Sequence, residues 1–423
     1  SIEPNATADE WTFRLRDGVT WHDGSPLTAD DLLFTIKRIA APKSTYPSAG
    51  IFASFKTNAA TKLDARTLRV PLDRPFGNVP ALFVDFWMSI LKDGTTDFAK
   101  PVGTGPFMFQ SFTPGRSSLF TRNPNYWRSG EPYVDQLELV SVPDGNARLN
   151  ALLQGQVHAM EGLSFTQAKQ QEPAGQITVL VGDGPINTPL VMTTTQAPFT
   201  DPRVRQAFRL LADREQLVAN VQQGYGSVGN DLYGKGLQFY DTSIPQRERD
   251  VEQAKSLLKQ AGQEKLTVPL TTSSVAPGML ESATVFAQQA KDAGVTVTLD
   301  QKPADSFWSD GYMKSAFFQT YWLSTPIEAW MQQAFFKGAI WNETAWDDPA
   351  FEARVRDAQG TVDPAKAADK WNELQQQLWD TGGYVFWGFY PFLDGVSKKV
   401  GGAKGSGFLP LGSHVFREWW LVA

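Results

Sequence analysis

The chain has 423 residues, with 39 Lys and Arg against 45 Asp and Glu and a formal net charge of -6. It carries no basic run of the kind that grips a nucleic-acid duplex, so no nucleic-acid partner is expected. It has no cysteine, which excludes disulfides, thiolate metal sites and a cysteine nucleophile, and no apolar run of about 18 residues that would cross a membrane as a helix.

A chain of this length buries enough surface to need no staple, and it is expected to divide into two or more lobes. The aromatic residues are many: 14 Trp, 28 Phe and 10 Tyr. Such rings fill cores, and they also line small-molecule clefts. Trp21, Trp87, Trp322, Trp341 and Trp346 stand in polar, loop-like contexts.

Along the chain, Trp11, Phe13 and Leu15 alternate with polar residues at strand period. The Asp17-Gly18 turn and the return through Val19-Thr20-Trp21 predict a hairpin, with a second turn at Asp23-Gly24. Thr28-Ala29-Asp30-Asp31 reads as a capping box that opens a helix with Leu32, Ile36 and Ile39 on one face, closed by Pro42. Leu68, Val70 and Leu72 alternate as a strand, and 137–142 is another. Residues 146–154 read as a helix with Leu149, Leu152 and Leu153 inward. An extended stretch over 189–196 leads to Asp201-Pro202, a helix N-cap followed by proline at the first helical position. Strands and helices then alternate. A helix runs from Asp250 to Gly262, a strand carries Leu266, Val268 and Leu270, a helix covers 279–293 and a strand carries Val295, Val297 and Leu299. A strand over 317–322, a helix from Asp363-Pro364 to Thr381 and an apolar strand over 384–389 complete the series. This alternation implies βαβ units and an α/β lobe. The polar, Gly/Lys-rich stretch 396–407 reads as a crossing segment and not as core.

No catalytic constellation stands out. Gly224-Tyr225-Gly226-Ser227-Val228-Gly229 is a literal GxGxxG, but it follows a helix where a dinucleotide loop follows a strand, so it reads as a glycine-rich turn. His22, His158 and His414 are far apart and have no metal-ligand spacing, and no GxSxG elbow is present. The pairs Asp30/Asp31 and Asp347/Asp348 suit helix starts. No catalytic residue, metal site or cofactor is assigned.

Three stretches carry a resemblance. Residues 11–39 (WTFRLRDGVTWHDGSPLTADDLLFTIKRI), 101–127 (PVGTGPFMFQSFTPGRSSLFTRNPNYW) and 198–217 (PFTDPRVRQAFRLLADREQL) resemble, in order and spacing, segments of the peptide/nickel/oligopeptide-type extracellular solute-binding proteins, family 5. Ala151-Leu152-Leu153-Gln154-Gly155-Gln156-Val157 is similar to a further family segment. The residues in these motifs are hydrophobic and turn-forming. Gly103 and Gly105 give backbone freedom at a bend, and Asn123 and Tyr126 suit tying a strand end to a loop, so the motifs report fold and not ligand.

The resemblance implies an α/β, two-lobed periplasmic-binding-protein-like fold (type II, the large dipeptide/oligopeptide-binding class), with mixed sheets and a hinge between lobes. One discontinuous lobe is expected over 1–191 plus 395–423 and a second over 196–390, with hinge segments near 190–196 and 393–400. Family members have some tens of residues before the segment matching Trp11, and this chain starts about there. The implied function is the solute-binding component of an ABC importer, exported to the periplasm or cell surface. Its partners are a small-molecule solute and permease subunits. It meets the membrane only through the permease or a lipid anchor outside this chain, and it acts as a monomer.

The stretch Tyr321–Glu328 corresponds to a ligand-facing family segment. Trp322 is either a stacking wall of the cleft or an aromatic buried beneath it. Tyr321, Trp87, Trp341, Trp387, Tyr390 and Glu328 complete the candidate ligand set. Two departures matter. Peptide binders present an Asp here for the ligand amine, but this chain has none between Tyr321 and Trp346. Nickel-complex binders carry an Arg after the GTG glycines, where this chain has Pro106. Peptide, oligosaccharide and opine-like solutes stay open. Two other classes remain: a hydrolase or transferase on a two-lobed frame, whose imidazole base would have to be His22, His158 or His414, and a chemosensory protein that presents its ligand to a receptor.

Overall fold

The computed structural model describes residues 1–46, 48–84, 88–182 and 184–422. The N-terminal sheet is antiparallel, in the order Thr61–Lys62, Thr67–Pro71, Glu10–Arg14, Ile2–Pro4. Trp11 faces Val70 and Phe13 faces Leu68 across the ladder, and all four are buried. The helix Ala29–Ile39 covers this face with Leu32, Ile36 and Ile39. Its capping box is formed, with the Asp31 carboxylate accepting the Thr28 N–H at 2.7 Å. The predicted first hairpin is corrected. Both edges of Glu10–Arg14 are taken by Ile2–Pro4 and Thr67–Pro71, so Val19–Trp21 has no edge to pair with. The second turn does form: Trp21 N–H bonds the Ser25 carbonyl at 2.8 Å around Gly24 at φ 85°.

A three-stranded antiparallel meander follows, Phe107–Thr113, Ser117–Arg122 and Gln136–Val140. Its start is tied to the first motif. The His22 ring accepts the Gly103 N–H at Nδ1 (3.2 Å) and lies 3.0 Å from the Gly105 carbonyl at Nε2. Asn123 Nδ2 donates to the same carbonyl at 3.0 Å. A Cβ on Gly103 would lie 3.2 Å from that imidazole, a tight contact that the ring could take only by shifting a few tenths of an ångström. The helix Gly145–Leu153 buries Leu149 and Leu152 but leaves Leu153 37 % exposed, because this short surface helix packs along one narrow edge.

A third sheet places Leu393–Ser397 between Ala159–Met160 and Ile177–Val181, antiparallel to both. The stretch expected to cross without joining the core thus begins inside a central strand, with Val396 buried against Leu180 and Trp419.

The largest sheet is mixed, in the order Thr296–Lys302, Thr267–Ser273, Phe317–Gln319, Leu190–Met192, Tyr384–Val385. The first three strands are parallel, and Leu190–Met192 is antiparallel to both its neighbours. Alternate residues feed opposite cores. Leu190, Met192, Phe317 and Val385 join one core with the helices Pro202–Leu211, Arg214–Gln222, Val251–Gln260 and Met279–Ala290. Val191, Phe318 and Tyr384 join the other with Ile327–Phe335, Pro349–Gly360 and Pro364–Thr381. Helices cover both faces of the central strands, while the edge strand Thr296–Lys302 stays largely exposed. The apolar run 384–389 does not form one strand. Tyr384–Val385 joins the large sheet, while Gly388–Phe389 pairs with Ser227–Val228 of the glycine-rich turn. A Cβ on Gly229 would lie 2.2 Å from the Phe386 carbonyl, so that glycine serves chain packing.

The third motif closes this lobe. Of the last four carbonyls of Pro364–Thr381, that of Leu378 accepts the Gly382 N–H at 2.8 Å, and the other three end the helix without a partner inside it. Arg209 donates to Leu378 and Asp380 (3.2 and 2.7 Å), Arg247 to Trp379 (2.6 Å) and Arg205 to Thr381 (2.8 Å). Burial pulls Arg209 down to about 9, which leaves it charged at neutral pH. Asp231, fully buried, accepts from Arg214 at 2.6 Å and Arg247 at 2.7 Å. Asp231→Asn removes that counter-charge while keeping a residue suited to the left-handed backbone (φ 55°). Urea unfolding should show a loss on the order of 3 kcal/mol; a loss below about 0.5 kcal/mol would show that the arginines do not depend on Asp231.

Candidate functional site

The strand Phe317–Gln319 leaves the large sheet and delivers the loop 320–326, whose backbone is pinned from both sides. Trp322 exchanges hydrogen bonds with Asn187 (3.0 and 3.2 Å). The Tyr233 hydroxyl accepts the Thr325 N–H at 2.7 Å and bonds the Leu323 carbonyl. This loop forms one wall of a cavity of about 720 Å³. Trp308, Tyr312, Trp341 and Glu343 extend the same wall. Val84, Phe408, Leu409 and Ser413 complete the lining.

The rings support one another edge to face. Trp322 meets Trp341 at 5.5 Å and Trp330 at 6.0 Å, and Trp308 meets Tyr321 at 5.5 Å and Tyr312 at 5.2 Å. Each contact fixes a rotamer that an isolated surface ring would not hold. Tyr233 stacks on Trp330 at 4.3 Å beneath them.

One carboxyl organises this wall. Glu343 is buried, and its two oxygens accept from the Tyr312 hydroxyl (2.7 Å), the Tyr384 hydroxyl (2.8 Å) and the Trp322 indole N–H (3.0 Å). Burial pushes the Glu343 carboxyl up to about 7, with the donors pulling the other way. Both tyrosine hydroxyls are raised by burial and by the neighbouring carboxylate. The donors come from three places in the fold: a loop after a short helix (Tyr312), a strand of the large sheet (Tyr384) and the cavity wall (Trp322). Among the described lining residues there is no Lys, Arg, His or Asp, and the lone carboxyl is already occupied by its own donors. The cavity therefore offers ring faces and neutral hydroxyls.

The structure brings together three of the seven residues singled out from sequence. Trp322, Tyr321 and Trp341 line the cavity. Trp322 is 5 % exposed and Tyr321 37 %, so the first is the floor of the wall and the second stands into the space. The other placements differ. Glu328 is buried on the helix Ile327–Phe335, accepts the Asn78 amide at 2.8 Å and is raised by burial; it does not line the cavity. Trp387 lies in a core with its indole N–H on the Thr188 carbonyl at 2.8 Å. Tyr390 packs edge-on against Phe165 at 5.3 Å in another core. Trp87 lies outside the described residues. Trp308, Tyr312, Glu343 and Phe408 went unassigned. The i, i+4 pair Trp308/Tyr312 and an acid between Trp341 and Trp346 were the only traces of them in the sequence. Among the described residues no group of three His, Asp or Glu is placed to hold a metal.

The family model described as "Bacterial extracellular solute-binding proteins, family 5 Middle" matches residues 1–342. The glutathione-binding protein GsiB of Pectobacterium atrosepticum is 24 % identical over 409 residues, covering 93 % of this chain and 79 % of the relative. Among solved structures, NikZ from Campylobacter jejuni in complex with Ni(L-His) superposes with a TM-score of 0.88 at 20 % identity, over 99 % of this chain and 89 % of that one. The PBP AgaA from A. tumefaciens R10 in complex with agropinic acid gives 0.86 at 24 % identity, over 100 % and 89 %. These likenesses show the two-lobed α/β fold.

The position of Glu343 has a measurable consequence. In the folded protein the carboxyl binds its proton more tightly than in the unfolded chain, where the ordinary value is 4.5. Between pH 4.5 and about 7 the folded state therefore holds more protons, and stability falls as pH rises through that window. Glu343→Gln keeps the protonated form's pattern, with one oxygen to accept and an N–H to donate towards the Tyr312 oxygen. Urea unfolding at pH 5 and pH 8 should show the variant gaining on the wild type by up to about 3 kcal/mol. A pH-independent difference would mean that Glu343 does not titrate in this range.

Proposed function

The chain belongs to the bacterial extracellular solute-binding proteins of family 5, the binding components of ABC importers, and from that premise we propose that its solute is a neutral molecule with at least one flat ring face. A sugar or small oligosaccharide, or a neutral opine-like heterocycle, meets that description. The observation that carries this reading is the cavity wall: Trp308, Tyr321, Trp322 and Trp341 present rings, while the described lining holds no charge that is not already satisfied. A zwitterionic peptide needs an acid for its amine, and such a charge-assisted bond contributes about 1.5–3 kcal/mol. The relatives bind chemically diverse solutes, glutathione, Ni(L-His) and agropinic acid among them, so family membership leaves the solute open and the lining has to decide it.

The proposed lobes are 1–191 with 395–423, and 196–390, with crossings near 190–196 and 393–400. In support, the large sheet draws its strands from residues 190–385, while the sheet holding Leu393–Ser397 takes its other strands from 159–181. The cavity is lined from both sides of that division, by 308–343 and by Val84 with 408–413. Hinge closure would then bring the walls together around the solute. We further propose that the protein acts outside the cytoplasm as a monomer, passes its solute to permease subunits and returns it chemically unchanged.

A thermal-shift screen against sugars, opines, peptides and nickel-histidine tests the class. A solute at about 100 times its Kd stabilises the native state by roughly 2.7 kcal/mol, which reads as a shift of a few degrees. The neutral ring-bearing solutes should give that shift. Trp308→Ala removes a ring that is 41 % exposed, so it should weaken binding about tenfold or more by calorimetry while leaving the melting temperature close to wild type. Trp322→Ala should lose both binding and stability. A shift confined to peptides or to nickel-histidine, or unchanged affinity in Trp308→Ala, overturns the reading, and recovery of altered solute after incubation overturns the binding-only role.

A further inference from the structure

The part of the cavity lining contributed by 408–413 has an unusual backbone. Leu411, Gly412, Ser413 and His414 follow one another at φ 49°, 65°, 58° and 57°, all left-handed, and only one is glycine. L-residues avoid this region, and runs of it persist only where the surroundings fix them. Here the surroundings do. Asp394, 1 % exposed on the strand Leu393–Ser397, accepts the Leu411 N–H at 2.6 Å with one oxygen and the Gly162 N–H at 3.2 Å with the other. The Ser406 and Ser413 hydroxyls bond each other across the turn. Behind the segment, glycines allow backbone-to-backbone contact: a Cβ on Gly182 would lie 2.1 Å from the Ser406 carbonyl, and one on Gly405 2.2 Å from that of Val181. In front, Ser324 Oγ, from the tryptophan wall, donates to the Gly407 carbonyl at 2.6 Å. What this strained segment presents is Phe408, 59 % exposed, with Leu409 and Ser413, all on the cavity.

We propose that the segment 406–414 is a preset specificity wall whose Phe408 ring closes the solute against the tryptophan face, and that Asp394 is the positioning residue that holds the wall in place. The proposal rests on the cavity being the solute site. It differs from a mobile lid in that the segment is fixed before solute arrives, by a buried carboxylate, a hydroxyl pair and glycine contacts. The exposure of Phe408 follows from the same arrangement. Its place on the cavity puts the ring where a solute held there would cover it.

The test uses the whole chain, with the neutral fluorophore N-phenyl-1-naphthylamine as the cavity probe and hydrogen exchange as a second readout. Asp394→Asn turns an N–H donor towards one of the two amides that the carboxylate accepts. It should raise exchange of the 406–414 amides at least tenfold, leave that of the large sheet unchanged and weaken probe binding about as much as Phe408→Ala does. In the Phe408→Ala background, Asp394→Asn should weaken binding less than twofold further, a non-additivity that a general loss of stability would not give. Phe408→Ala alters an exposed ring and folds whether or not Asp394→Asn does. Unchanged exchange in Asp394→Asn, full additivity of the two substitutions, or wild-type affinity in Phe408→Ala overturns the proposal while Trp308→Ala still weakens the probe. If the wild type takes up no probe, or if Trp308→Ala and Phe408→Ala both bind it as the wild type does, the cavity itself is not the site and both readings fall.

Discussion

Four carbonyls at the end of the helix Pro364–Thr381 hold much of this molecule together. Left bare in the interior, each would cost about as much as a lost hydrogen bond. Arg205, Arg209 and Arg247 reach them from elsewhere in the lobe, and Asp231 balances the buried charge. The helix end leads through Gly382-Gly383 into the strand Tyr384–Val385, where Met192 N–H bonds the Gly383 carbonyl at 2.7 Å. That strand carries Tyr384 to Glu343, and Glu343 holds the Trp322 indole. A continuous series of contacts thus runs from the arginines of the third motif to the cavity wall, through a helix terminus, a strand and one carboxyl.

Glu343 shows how an aromatic wall is kept in order. Edge-to-face contacts restrict these rings, and a buried polar centre adds a stricter geometric demand. A buried carboxyl accepting from three donors adds direction, since each donor must sit where an oxygen lone pair points. Its desolvation is offset by those donors only in part, which is why it titrates near neutrality. The same satisfaction removes it as a partner for the solute. The wall is stiff, and stiffness lowers the ordering cost of taking a ligand.

The two sides of the cavity are fixed by different means. The tryptophan side depends on edge-to-face rings and a shared carboxyl. The Phe408 side depends on backbone: a left-handed run, glycine contacts and the Asp394 carboxylate. Family 5 proteins share the scaffold motifs, and the three recognised here do scaffold work: His22 against Gly103, Asn123 against Gly105, and the arginines against the helix end.

The sequence by itself determined the elements and the family. Strand alternation at Trp11/Phe13 and Leu68/Val70, the caps at Thr28, Asp201, Asp250 and Asp363 and the glycine stops are local signals, read from neighbours a few residues away. It also pointed to Tyr321 and Trp322 through the likeness of 321–328 to a family segment, and to Trp341 as a tryptophan in a polar, loop-like context. Only the tertiary structure decided which aromatics meet. Trp387 and Tyr390 look as suitable in sequence as Trp341, yet they fall into cores, because the side of a sheet on which a ring lands depends on strand breaks and partners far along the chain. Glu343 and Asp394 were silent for the same reason: a carboxyl becomes an organising centre only when donors 31, 41 and 17 residues away fold onto it. The hairpin predicted after Asp17-Gly18 failed because both edges of Glu10–Arg14 were claimed by more distant strands, and edge competition is settled only once the sheet is assembled.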